Sequence, residues 1–102
     1  MHLVELFLPL RDNGGQPFPA ALYEAVRAEL AALHGGVTAF TRAPAKGLWE
    51  DDQGGVQRDD VVLFEVVVER LDRGWWGRYR ETLEARFRQD EVLVRATRVE
   101  RL

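Results

Sequence analysis

Three charged side chains are predicted to meet on one face of a β-sheet. Glu5 lies in the apolar segment Leu3–Leu8, and Glu65 lies in the run Val61–Glu69, which is mostly β-branched or aromatic. Arg95 lies in a third alternating segment near the C-terminus. Two carboxylates that are close together in apolar surroundings repel each other, and one stays protonated unless a cation neutralises it. Such a group acts as a general acid or base, or it binds a polar ligand.

A structural role for the same trio is the alternative. Glu5, Glu65 and Arg95 would then form a Glu–Arg network that satisfies its own charges at an interface between two copies of the chain. Strand register decides between the two roles, and the sequence alone does not fix it. Four more side chains are predicted to shape a ligand pocket beside the trio. They are Trp49, Phe40, Arg42 and Thr97.

Composition excludes several classes of function. The 102-residue chain contains no cysteine, so a thiolate zinc site and a disulfide framework are excluded. His2 and His34 have no acidic residue at metal-ligand spacing, so neither a metal nor a cofactor is predicted. The net charge of −3 argues against nucleic acid as a partner. We expect no membrane association and a cytoplasmic location, because the chain has no bilayer-length apolar run and no pattern of a signal peptide.

Local patterns predict strands and helices in a regular order. Strands are expected over residues 3–8, 37–43, 61–69 and 91–99. A first helix should follow Pro19 and end at Gly35. Its buried stripe should comprise Leu22, Val26, Leu30 and Leu33 at helical spacing, with Glu24 and Arg27 on the solvent side. A second helix should begin after Asp72 as N-cap and continue to about residue 88, with one apolar stripe. That stripe comprises Trp76, Tyr79, Leu83 and Phe87.

The order strand, helix, strand, repeated once, predicts a single α+β domain over residues 1–102. Its architecture would be the ferredoxin-like βαββαβ plait, a four-stranded antiparallel sheet with two helices on one face. The first and third strands should be central, because right-handed crossovers place them there and they are the most apolar. Residues 44–60 form a long polar connection that is expected to be an ordered hairpin arm or a functional loop.

The face of the sheet away from the helices would be largely apolar. A monomer rarely leaves so large an apolar patch in water, so we expect a homodimer whose sheets pack face to face. The alternative is that the 44–60 connection covers the open face of its own sheet. The apolar residues of this face are Leu3, Phe7, Phe40, Val61, Leu63, Val67 and Leu93.

Two resemblances accompany these patterns. The whole-chain plan resembles the dimeric α+β barrel superfamily of ferredoxin-like domains, which includes cofactor-free monooxygenases, small isomerases and ligand-binding regulatory modules. The C-terminal half resembles a bacterial family of unknown function, in which Gly-x-Trp precedes a hydrophobic strand and a helix ends in Phe-x-Gln. The matching residues are Gly47-Leu48-Trp49, the Val61–Val68 strand and Phe87-Arg88-Gln89. Members of that family tend to carry export signals, and this chain has no such pattern.

Two functions therefore remain open at the level of sequence. The first is a small bacterial homodimer that binds a small organic molecule, either between sheet and helices or between sheet and partner, with Glu5, Glu65 and Arg95 as site residues. The resemblance leaves open whether such a dimer is a cofactor-free enzyme of the dimeric α+β barrel type or binds its ligand without turnover. The second is a non-catalytic assembly or regulatory module, whose open sheet face serves only dimerisation.

Overall fold

The computed structural model describes residues 1–36 and 61–102 in full, and the backbone of Thr38–Arg42. The predicted 44–60 arm lies outside the described residues. Among the described residues, no helix is both long enough and apolar enough to cross a bilayer. The elements follow one another as β1 (His2–Pro9), α1 (Ala20–His34), β2 (Thr38–Arg42), β3 (Val61–Val68), α2 (Arg73–Arg86) and β4 (Leu93–Arg98).

The strands form an antiparallel sheet with β1 and β3 inside it. β1 pairs with β3 on one side and with β4 on the other, and the backbone of β2 pairs with β3. The strand order is therefore β2-β3-β1-β4. The prediction that the first and third strands are central is confirmed, as is the α+β class with two helices and an antiparallel sheet. At the end of the β2–β3 pairing, Arg42 lies opposite Val61.

One hydrophobic core lies between the sheet and the two helices. Alternate residues of β1 and β3 point into it, as the period of two along a strand requires. Both helices pack on this same face, and no helix among the described residues covers the other face. From the sheet the core takes Val4, Leu6, Leu8, Val62, Phe64, Val66 and Val68. From α1 and α2 and the residue after α2 it takes Val26, Leu30, Trp76, Tyr79, Leu83 and Phe87.

Helix α1 begins and ends where the sequence predicts. Pro19 precedes its first residue, and Gly35 ends it in the left-handed conformation at φ 76°, with its N–H bonded to the carbonyl of Ala31. The prediction that Leu33 lies in the buried stripe is wrong, because Leu33 is 60% exposed. Four residues after Leu30, His34 continues the buried line instead, since i and i+4 lie on one face of a helix.

Helix α2 begins at its predicted cap and ends earlier than predicted. The Asp72 carboxylate accepts a hydrogen bond from the Trp75 N–H at 3.0 Å. The helix ends before Arg88 because that residue has φ 52°, which is outside the right-handed helical region. Strand β4 also starts later than predicted, at Leu93, because the N–H of Val92 donates to the Glu84 carboxylate at 3.0 Å rather than to a neighbouring strand.

The same substitution at two leucines, one buried and one exposed, tests which residues form the core. Leu83 is fully buried, whereas Leu33 is 60% exposed. Leu83→Ala should lower the free energy of unfolding by about 2–5 kcal/mol, because it removes packed methyl groups and leaves a cavity. Leu33→Ala should change it by less than about 0.5 kcal/mol, as surface substitutions do. Urea titration measures both, and equal losses would contradict the assignment of the buried faces.

Candidate functional site

The sheet register brings the predicted charged trio together on the open face. Glu5 lies directly opposite Glu65 on β3 and directly opposite Arg95 on β4. The Arg95 Nε donates to the Glu5 carboxylate at 2.9 Å, and the guanidinium carbon lies 4.9 Å from the centre of the Phe7 ring. The Glu5 side chain is 14% exposed and that of Arg95 57%. An ion pair this exposed on one side contributes about 1 kcal/mol or less.

Glu65 differs from Glu5 in its partners. It lies between the buried Phe64 and Val66, so its side chain points to the open face, where it is half-buried. Among residues 1–36 and 61–102, Arg95 forms its ion pair with Glu5, and no ion pair is made by Glu65. A half-buried carboxylate of this kind accepts hydrogen bonds from a bound donor or cation. The catalytic roles assigned to the trio stay predictions.

The four predicted pocket residues are described to different extents. Thr97 is exposed on β4, opposite Leu3, on the same face as Glu5. Backbone register places Phe40 opposite Leu63 and Arg42 opposite Val61. The side chains of Phe40 and Arg42, like the whole of Trp49, lie outside the described part of the chain, so their roles as pocket residues stay predictions.

The apolar residues of the open face are unevenly covered. Leu63, at its centre, is only 4% exposed, whereas Val67 is 50% and Leu93 53% exposed. Leu3, Phe7 and Val61 are half-buried. The face therefore combines a covered centre with exposed apolar side chains on β3 and β4.

An aromatic cluster joins the C-terminal end of α1 to the first turns of α2. The His34 ring stacks on Trp76 with centroids 5.0 Å apart and meets Trp75 edge to face at 5.1 Å. Trp75 in turn stacks on Tyr79 at 4.9 Å. Trp76 is buried, as predicted, and Trp75 packs within the cluster. Sequence reasoning missed the part played by His34, for which the four-residue spacing from Leu30 was the available signal.

A polar contact also links the two helices, and it was not predicted. The Arg86 guanidinium donates to both oxygens of the Glu29 carboxylate, at 2.8 and 2.9 Å. The Tyr79 hydroxyl donates to the same carboxylate at 2.8 Å. The hydrogen bond from Arg86 is the main cause that lowers the pKa of Glu29, while burial is the main cause that raises the pKa of Tyr79. Bidentate geometry makes this a strong tether.

Acidic and histidine side chains of the described residues do not converge in a way that suits a metal ion. Within residues 1–36 and 61–102, no three His, Asp or Glu side chains lie close enough to bind one together. The candidate site therefore rests on Glu65 and its apolar neighbours.

His34 should make stability depend on pH. Burial lowers the pKa of His34 below its ordinary value of 6.5, and its buried Nε2 has no hydrogen-bond partner among the described residues. The unfolded chain therefore takes up a proton at higher pH than the folded protein, so stability is full above about pH 6.5 and falls below it. Urea titrations at pH 7.5 and 5.5 should show this loss in the parent.

The His34→Phe variant is the control, because it keeps an aromatic ring in the stack and removes the titrating group. Its free energy of unfolding should fall less between the same two pH values. An equal fall in parent and variant would assign the pH dependence to other groups.

The order β1-α1-β2-β3-α2-β4, with two helices on one face of an antiparallel sheet, defines an α+β protein of ferredoxin-like type. Two solved structures share the fold. A phage SAM lyase in complex with S-methyl-5'-thioadenosine superposes with a TM-score of 0.59 at 14% identity, over 94% of this chain and 79% of the lyase. CutA1 from Pyrococcus horikoshii OT3 gives 0.58 at 16% identity, over 100% of this chain and 86% of CutA1.

Sequence comparison adds no closer relationship. No protein family matches the chain, and no curated protein does so. At 14% and 16% identity, the two solved structures support the fold and not a function. The likeness of the C-terminal half to a family of unknown function stays a prediction.

Proposed function

We propose that the chain is a homodimer that binds a small organic molecule at the seam between two open sheet faces. The observation that carries this proposal is the half-buried Glu65 on an apolar face, opposite a Glu5 whose charge Arg95 already matches. In this proposal residues 1–102 form one complete ferredoxin-like plait, with β2 as its fourth strand. The arrangement is that of the dimeric α+β barrel type.

Exposed apolar area supports self-association. Val67 and Leu93 are each at least half exposed, next to the half-buried Leu3 and Phe7. Apolar residues that are contiguous on one sheet face mark an interaction surface. A second copy of the same face is apolar to the same degree, so packing the two sheets together removes both patches from water at once.

The charged residues on this face can pair with the charged residues on the same face of a second copy. Glu65 and Arg95 flank Glu5 on the two neighbouring strands, about 4.8 Å to either side. A two-fold axis that runs along β1 between two facing sheets exchanges the two sides, so Glu65 of one copy faces Arg95 of the other. Because Glu5 accepts from Arg95 Nε, the terminal nitrogens of the guanidinium are further donors for this second carboxylate.

The seam also suits a ligand. The Glu65 carboxylate accepts hydrogen bonds from an amine or amide whose apolar body packs on Phe7 and Val67, the accessible apolar side chains nearby. The phage SAM lyase with a similar fold is in complex with a small organic molecule, S-methyl-5'-thioadenosine, which supports the idea that this plan can hold one. Whether a bound molecule is turned over would depend on Glu65 as general acid or base.

Dimerisation is tested by placing one charge on the open face. At micromolar concentration the parent should have the mass of two chains by light scattering. Val67→Asp should raise the dimer dissociation constant at least about a hundredfold, because an unpaired carboxylate would be buried at the seam. Leu33→Asp, at a similarly exposed position on α1, should leave the mass unchanged. A parent with the mass of one chain at all concentrations would overturn the dimer.

Ligand binding is tested with a library of small amines and amides, measured by ligand-observed NMR. Fragments that bind the parent should bind Glu65→Gln about tenfold more weakly, because a charge-assisted hydrogen bond is lost while the shape is kept. The exposed Glu69→Gln, just after β3, should bind them as the parent does. A dimer that binds no fragment through Glu65 would refute the ligand and favour the second candidate.

The second candidate is a non-catalytic assembly or regulatory module. The burial of Leu63, at 4% exposure in the centre of the face, favours it, because a filled centre leaves less room for a ligand. In that case Glu65 and Arg95 would serve only to fix the register of the two copies. Glu65→Gln would then weaken the dimer without affecting the binding of any fragment.

A further inference from the structure

A cleft lies on the helix side of the sheet, and Arg95, which belongs to the proposed seam, is also among its lining residues. The cleft has a volume of about 190 Å³ and lies between α2 and β4, where the helix does not fully cover the edge strand. Val4, Trp76 and Val94 give it an apolar floor, and Arg73 and Arg80 line it from the helix. Val94 and Ala96 are paired with Leu6 and Val4, so this part of β4 faces the helix side and not the open face.

Positive charge is concentrated at this end of α2. Residues 70–80 contain four arginines and one acid in a chain whose net charge is −3. The acid, Asp72, already accepts the N-cap hydrogen bond. Arg73 is the first residue of the helix, where the helix dipole disfavours a cation unless an anion lies nearby. Arg80 is held at 2.9 Å by Glu84 and so has a defined place at the cleft.

Size and lining together limit the ligand. A volume of 190 Å³ holds roughly six water molecules at about 30 Å³ each, well below the volume of pockets that bind drug-sized ligands. The apolar floor accommodates one ring or a short branched chain, and the arginines donate hydrogen bonds to a carboxylate. We infer that this cleft binds a small organic acid, with its apolar body against Trp76 and its carboxylate toward Arg73 and Arg80.

Gly77 allows the cleft to be filled without disturbing the core. It lines the cleft, and a β-carbon built at this position meets no atom within 4 Å. Leucine is also a better helix former than glycine. Gly77→Leu should therefore fold at least as well as the parent and occupy the space of the ligand, which separates a loss of binding from a loss of folding.

Benzoate is the probe, followed through the backbone amide NMR signals of Gly77 and Ala96. In the parent these signals should shift with saturation in the millimolar range, and benzyl alcohol, which lacks the carboxylate, should bind at least about tenfold more weakly. Arg73→Gln should weaken benzoate binding about tenfold, and Gly77→Leu should abolish it. Arg78→Gln, on the same helix but outside the cleft lining, should change it by less than about twofold.

Three results would overturn the inference. They are benzoate shifts that do not saturate in the parent, binding that survives Gly77→Leu, and equal affinity for benzoate and benzyl alcohol. The Val67→Asp variant distinguishes this cleft from the seam, because it should lose the dimer and keep benzoate binding. Loss of benzoate binding in a folded Val67→Asp would assign the ligand to the seam.

Discussion

The alternation of β1 and β3 under the two helices is the constraint on which the rest of the structure depends. Val4, Leu6 and Leu8 are nearly or fully inaccessible to solvent, and a slip of one residue in the register would turn all of them to the other face. The same register places Glu5 opposite Glu65, a like-charge pairing that is unfavourable in itself. Arg95 offsets part of this repulsion from the far side of β1. The register that buries Val4, Leu6 and Leu8 therefore also places Glu5, Glu65 and Arg95 together, whether or not they form a functional site.

The helices are joined by two contacts of different chemistry. At one place the Glu29 carboxylate receives hydrogen bonds from Arg86 and Tyr79, and at another the His34 ring packs against both tryptophans. Tyr79 takes part in both, through its hydroxyl in the first and its ring in the second. The two helices therefore form one layer, because they are held side by side by the Glu29 contact and at the end of α1 by the His34 contact. A fixed layer keeps the helix side of the sheet constant.

Much of the fold follows from local pattern, and much of the candidate site does not. The caps at Asp72 and Gly35 and the β3 strand could be predicted because each depends on a few neighbouring residues. Leu33 was assigned to the core wrongly, since spacings of three and four both suit a helix and only the packing of His34 decides between them. The Glu29–Arg86 pair joins residues far apart in sequence, and no local signal connects them. The sequence predicts that Glu5, Glu65 and Arg95 lie on the same face of the sheet. That they lie directly opposite one another could be known only from the strand register in the structure.

The pairing of Arg42 with Val61 has a consequence for how this chain tolerates change in length. Because these two residues lie opposite each other on adjacent antiparallel strands, residues 43–60 leave and re-enter the sheet at neighbouring points. The entropy of closing a connection grows only slowly with its length, by about 0.6 kcal/mol for each doubling. A change in length between Arg42 and Val61 therefore does not by itself require either strand to move. We expect insertions between these two residues to leave the register of β2 and β3 unchanged.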